Sequence, residues 1–68
     1  MFTVDADKIR SLMFRHEVNG VYDLASKAKI NSLTAARVLK DGATATTKTI
    51  AALAKLFGVD FNEIILKG

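Results

Sequence analysis

Residues 24–38, which read LASKAKINSLTAARV, form the stretch that decides the fold. On both sides of its centre, small and apolar residues recur three and four positions apart, which is the spacing of one helix face. Only Lys29, Ile30 and Asn31 separate the two helical patterns. Asn31 is a good N-cap for the second of them, and Ile30 is placed to point inward. So short a connection predicts two helices that cross steeply, as in a helix-turn-helix unit, over about residues 20–41.

Helical periodicity extends outward from this pair in both directions. A first helix is predicted from residue 5 or 6 to residue 16, with Asp5 as its N-cap. A fourth helix begins at Thr46 or Thr47 and ends before Gly58, where glycine favours a helix C-terminus.

The rest of the chain completes an all-α prediction. Residues 61–66 follow a capping-box spacing and are expected to form a short fifth helix. Residues 43–47 are predicted to be a surface loop, and no segment alternates for long enough to be a strand. A chain of 68 residues is too short for two cores. We therefore expect one compact five-helix domain over residues 1–68.

Composition excludes several classes of function. The chain has no cysteine and one histidine, so a thiolate site, a multi-histidine metal site and a nucleophilic triad are not expected. We predict no enzyme activity, cofactor, metal or small-molecule substrate. No apolar run approaches the length of a membrane span, and charged residues near the start argue against a signal peptide. The expectation is a cytoplasmic protein with no membrane partner.

The basic charge is concentrated in the middle of the chain. Overall, 10 lysines and arginines face 7 acidic residues, for a net charge of +3. Residues 27–48 hold five basic residues and one acid, Asp41, which gives that segment a net charge of +4. A basic patch on a near-neutral domain is typical of a surface that binds a polyanion. The alternative is a basic helix face that is merely solvated.

The sequence resembles the Cro/repressor family of phage and bacterial helix-turn-helix proteins, the lambda-repressor-like (Xre-type) domains. The resemblance rests on the small Ala25 at the helix crossing, the apolar register around it, and the block TIAALAKLFGV at residues 49–59. It covers nearly the whole chain. Two features depart from the family pattern: Lys29 stands where glycine is usual, and one extra residue lies before Gly42.

This resemblance implies a sequence-specific regulator of transcription that reads the major groove of double-stranded operator DNA with its third helix. Base edges would be contacted by Ser32, Leu33 and Arg37. Arg37 is a fork suited to guanine, Leu33 offers a methyl surface suited to thymine, and Ser32 specifies little by itself. The residues expected to contact the DNA backbone are Asn19, Lys27, Lys29, Asn31, Thr34, Lys40, Thr44, Thr46, Thr47 and Lys48.

A homodimer on DNA is also expected, because one recognition helix reads few base pairs. The apolar C-terminal residues Phe61, Ile64, Ile65 and Leu66 are the predicted pairing surface. The family contains both Cro-like proteins that consist of this domain alone and repressors that carry a further domain, and both remain open. The resemblance fits a phage or prophage Cro-like repressor.

Alternatives remain for the individual residues and for the whole chain. Leu33 could be partly buried, Arg37 could be a solvated surface charge, and the threonines could simply fill a loop. The competing function is a helical protein-interaction module of antitoxin or repressor-partner type, with secondary or no DNA binding. The basic excess over residues 27–48 favours DNA, since an interaction module has no need for it.

Overall fold

The computed structural model describes residues 1–66. This part of the chain is mostly helical and contains one small antiparallel sheet. The four α-helices lie where the helical periodicity predicts them. In chain order, the elements are β1 (Phe2–Thr3), α1 (Ala6–Arg15), α2 (Val21–Ala28), α3 (Ser32–Val38), β2 (Thr44–Ala45), α4 (Thr47–Phe57) and a 3₁₀ helix (Phe61–Ile64).

Side-chain caps start three of the helices. The side chains of Asp5, Asn31 and Thr46 each accept a hydrogen bond from a backbone amide in the first turn of α1, α3 and α4. The donor–acceptor distances are 3.1, 2.7 and 3.4 Å, respectively. These bonds satisfy amides that have no partner within the helix. The caps predicted at Asp5 and Asn31 are confirmed, and of the two candidates Thr46 and Thr47, Thr46 is the cap of α4.

The N-terminal residues lie between two other segments of backbone. Strand β1 pairs antiparallel with β2, with Phe2 opposite Ala45. On its other side, Val4 forms an antiparallel bridge with Ile65, and the Leu66 amide donates to the Thr3 carbonyl at 2.9 Å. The start of the chain is therefore hydrogen-bonded both to the segment after α3 and to the segment after the 3₁₀ helix.

Two parts of the all-α prediction are wrong. The predicted loop over residues 43–47 contains β2, and the predicted fifth helix is a single 3₁₀ turn that ends at Ile64. Strands of two residues are too short to produce an alternating pattern. After the turn, Ile65 is extended, with φ −117° and ψ 149°. Its β-branched side chain suits that conformation, and the bridge to Val4 stabilises it.

One apolar core joins the helices to the sheet. Helices α2 and α3 share the most extensive contact between elements, and small alanines at that contact let the two backbones approach. No polar side chain is buried among residues 1–66. The largest fully buried side chains are Val4, Ile9, Leu24, Val38, Ile50, Leu53 and Ile64.

The connection between α2 and α3 depends on a left-handed residue. Lys29 has φ 58° and ψ 44°, and the Lys29 and Ile30 amides both turn back to the Ala25 carbonyl. This is the left-handed helix end at which glycine is favoured, because a Cβ crowds the following carbonyl. A lysine there costs about 1 kcal/mol or somewhat more.

Replacing this lysine with glycine should therefore stabilise the fold. We expect Lys29→Gly to raise the free energy of unfolding by about 1 kcal/mol, less a part lost to the more flexible unfolded chain. For a domain of this size, 1 kcal/mol corresponds to a rise in Tm of about 4–8 °C. Thermal unfolding followed by circular dichroism measures it. The control Lys29→Ala also removes the charge but keeps the backbone strain. An equal gain in unfolding free energy for both variants would contradict the conclusion that the left-handed backbone of Lys29 is strained.

Candidate nucleic-acid interface

Helix α3 presents one face to solvent and the other to the core. Ser32, Leu33 and Arg37 are exposed, whereas Ala35 and Val38 on the opposite face are buried. Leu33 is 59% exposed, so most of its side chain is accessible, while the rest lines a depression beside α2. The alternative that Leu33 is partly buried is compatible with this exposure. The three residues predicted to contact bases share an accessible helix surface.

A groove beside α3 brings several of the predicted contacts together. Thr34 and Arg37 from α3 face Thr44 and Thr46, and these residues line a depression of about 140 Å³. Lys40 lines an adjoining depression that also includes Arg37 and Thr44. The guanidinium, the ammonium and the hydroxyls supply hydrogen-bond donors of the kind that bind phosphate oxygens.

A second group of basic residues lies between α2 and α4. Lys27 and Lys29 line a depression together with Lys55 of α4. Lys55 belongs to a different part of the sequence, and only the packing of α4 beside α2 brings it to this surface. The predicted contacts Thr47 and Lys48 are exposed in the first turn of α4 and line neither this depression nor the groove beside α3. The basic middle segment is thus divided between separate surfaces.

An apolar depression adjoins the exposed end of α3. It is lined by Val21 and Tyr22 from α2 and by Ser32, Leu33 and Ala36 from α3. Tyr22 is 81% exposed. Tyr22 was not among the residues predicted to contact DNA, although its position outside the buried stripe of α2 was a signal of its exposure. Its ring and hydroxyl extend the surface formed by Ser32 and Leu33.

A carboxylate occupies the start of α2. Asp23 Oδ2 accepts a hydrogen bond from the Asn19 amide at 2.9 Å and lies 3.2 Å from Lys27 Nζ. The hydrogen bond from the Asn19 amide, together with the Lys27 ammonium, lowers the pKa of Asp23 below its ordinary value. Two predicted phosphate contacts, the backbone at Asn19 and the side chain of Lys27, are therefore already engaged with an anion of the chain itself.

Arg10 connects α1 to the C-terminal end of α3. Its guanidinium donates to the Leu39 carbonyl and to Asp7 and Asp41, at 2.9 and 3.2 Å for the two carboxylates. Hydrogen bonds to the two carboxylates raise the pKa of Arg10. Asp41, the single acid within residues 27–48, is thus paired with a cation from outside that segment. Arg10 was not predicted, because the pairs with Leu39 and Asp41 join residues far apart in the chain.

The C-terminal residues predicted to pair two subunits are mostly part of the monomer's own core. Ile64 is fully buried, so its placement on a pairing surface is wrong. Phe61 and Ile65 are half-buried against the core, and the Phe61 ring lies edge-on to Phe2 at a centroid distance of 5.1 Å. Leu66 is 47% exposed. The bridge between Val4 and Ile65 and the contacts of the 3₁₀ helix with α1 and α4 hold most of this segment against the core.

Two kinds of feature are absent from residues 1–66. No group of three or more histidine, cysteine or acidic side chains there could hold a metal ion. None of the helices in that range is both long and apolar enough to cross a membrane.

In comparisons with known proteins, no family model matches the chain, and no curated protein or solved structure is significantly similar to it. The resemblance to the Cro/repressor family therefore stays a prediction.

The Asp23 contacts predict how stability depends on pH. The pKa of Asp23 is lower in the folded chain than the value of about 3.9 in an unfolded one. Its stabilising contribution is therefore present above that value and is lost as the pH falls through the folded pKa. We expect Asp23→Asn to lower the free energy of unfolding at neutral pH, and the difference from the wild type to shrink by about pH 3. Urea unfolding at both pH values measures it. A difference that stays constant would show that the carboxylate charge does not stabilise the fold.

Proposed function

We propose that this chain binds double-stranded DNA in a sequence-specific manner and regulates transcription, with α2 and α3 acting as a helix-turn-helix of the Cro/repressor type. The observation that supports it most is the accessible face of α3, where Ser32, Leu33 and Arg37 lie beside a groove of phosphate-binding side chains. In this proposal, α3 enters the major groove and the groove residues hold the backbone.

The dimensions of α3 suit that role. A helix of seven residues is about 10 Å long. The major groove is about 12 Å wide and admits an α-helix, whose diameter with side chains is about 10–12 Å. Because Arg37 lies about one turn beyond Ser32 and Leu33, these three side chains reach neighbouring base pairs. The Arg37 fork matches guanine O6 and N7, and Leu33 matches the thymine methyl group.

The charges beside α3 also support DNA as the ligand. Arg37 and Lys40 share one depression with Asp41, and Arg10 is paired with that carboxylate. Asp41 therefore offsets less of the positive potential near α3 than its formal charge implies. A surface of this sign attracts any phosphate backbone, and the base contacts then select a sequence.

We further propose that two copies bind one operator, at half-sites about one helical turn apart. With Ile64 in the core, the pairing surface near the C-terminus is reduced to Leu66 and the exposed parts of Phe61 and Ile65. Selection of bound sequences from a random duplex pool tests both sequence-specific binding and binding as a dimer. A preferred sequence supports the first, and a two-fold symmetric site supports the second.

A protein-interaction module is the second candidate function. It is favoured by the exposed apolar side chains of Tyr22 and Leu33, which border one depression and could receive a partner's side chain. Such a module would bind its partner with little dependence on salt. Binding to duplex DNA with strong salt dependence distinguishes the two candidates.

Salt dependence is the first test of DNA binding. With about five to seven phosphates neutralised per pair of subunits, log Kobs should fall against log salt with a slope of roughly −5 to −6. Between 50 and 200 mM salt the affinity should drop on the order of a thousandfold. Fluorescence anisotropy with a labelled duplex measures it. A slope near zero would exclude the DNA-binding proposal.

Two basic residues near the groove should behave differently when removed. We expect Arg37→Ala to cost about 1–3 kcal/mol on the selected site and to relax the preference at one base pair. Lys40→Ala should weaken all duplexes alike and reduce the salt slope by about 1. Titrations of a set of single-base variants of the site measure both effects. Arg15→Ala on α1 serves as a control that removes the same charge elsewhere. Uniform losses in both test variants would mean that Arg37 contacts the backbone and not a base.

A further inference from the structure

The ion pair at the start of α2 stands at the edge of the surface proposed to face DNA. Val21 and Tyr22, which directly precede Asp23, line the same depression as Ser32 and Leu33. The Asp23 side chain is 32% exposed and that of Lys27 is 44% exposed. Both charges are therefore accessible to a phosphate backbone, and Lys27 also lines the depression between α2 and α4.

The two charges of this ion pair have opposite effects on the binding of a phosphate: Lys27 attracts it and Asp23 repels it. Asp23 Oδ2 lies 3.2 Å from Lys27 Nζ, one turn along the same helix face. A lysine beside a carboxylate attracts a phosphate less strongly, because the carboxylate cancels part of the ammonium charge and itself repels the phosphate. Lys27 therefore contributes less to phosphate binding than its formal charge suggests.

We infer that Asp23 limits the DNA affinity of this protein by retaining Lys27 in an intramolecular ion pair. This inference rests on the proposed function. Asp23 has two opposing effects: it stabilises the start of α2 through the Asn19 amide, and it withholds one cation from the DNA backbone. Removal of its charge should make a more tightly binding and less stable protein.

The experiment compares the wild type with Asp23→Asn on a duplex of mixed sequence at several salt concentrations. The asparagine keeps a side-chain oxygen that can accept from the Asn19 amide, and circular dichroism checks the fold. One additional neutralised phosphate should steepen the slope of log Kobs by about 0.9, which at about 0.1 M salt is close to an eightfold gain in affinity. If Asp23→Asn does not fold, Asp23→Ser makes the same comparison.

Two further variants identify the cause of any gain. Asp7→Asn makes the same change in net charge on α1, where Asp7 pairs with Arg10, and should give a clearly smaller gain. In a Lys27→Met background, Asp23→Asn should lose its effect on the slope. The inference is overturned if Asp23→Asn binds no more tightly than the wild type, if Asp7→Asn gains as much, or if the gain is undiminished without Lys27. A wild type that shows no salt-dependent binding would instead overturn the proposed function itself.

Discussion

The left-handed conformation of Lys29 is the constraint on which the arrangement of α2 and α3 depends. Helix α2 ends in a left-handed residue, and after Ile30 and Asn31 the chain continues into α3, which packs against α2. Ala25 and Ala35 are small and buried, and Leu24 and Val38 belong to the same apolar core. Because one face of α3 is fixed in this way, its opposite face must be exposed.

The other end of α3 is held by contacts from distant parts of the chain. Arg10 reaches from α1 to the Leu39 carbonyl, and β1 pairs with the segment that follows α3. The groove that contains Arg37 and Thr44 exists only because β2 is held against α3 at this place. A packed core and a small sheet thus set the geometry of residues that themselves lie at the surface.

Charge on this protein has to be counted by pairs. The formal net charge of residues 27–48 counts Lys27, whose ammonium is paired with Asp23. It also counts Asp41, whose carboxylate is paired with Arg10. One pairing reduces the cations available to a polyanion, and the other reduces the repulsion near α3. The electrostatic potential at the surface therefore differs between the Asp23–Lys27 pair on α2 and the Arg10–Asp41 pair after α3. A count of charges along the sequence does not show this difference.

The sequence by itself determined the helices and their beginnings. Apolar spacing and the caps at Asp5, Asn31 and Thr46 are local properties, because each involves residues within one or two helical turns. Ser32, Leu33 and Arg37 were selected through the family resemblance, and their exposure agrees with the periodicity of α3, whose buried residues are Ala35 and Val38. The position of Lys29, where glycine is usual, was likewise identified through the resemblance.

Only the tertiary structure decided the sheet, the burial of Ile64 and the grouping of the basic residues. Two-residue strands carry no periodic signal, and their hydrogen bonds join Val4 to positions about forty and sixty residues away in the chain. Ile64 looks like surplus apolar surface until the 3₁₀ helix packs against α1 and α4. Arg10 pairs with Asp41, and Lys55 lines a depression with Lys29, only after the helices pack. The physical reason is that these contacts depend on three-dimensional distance, which local spacing along the chain does not specify.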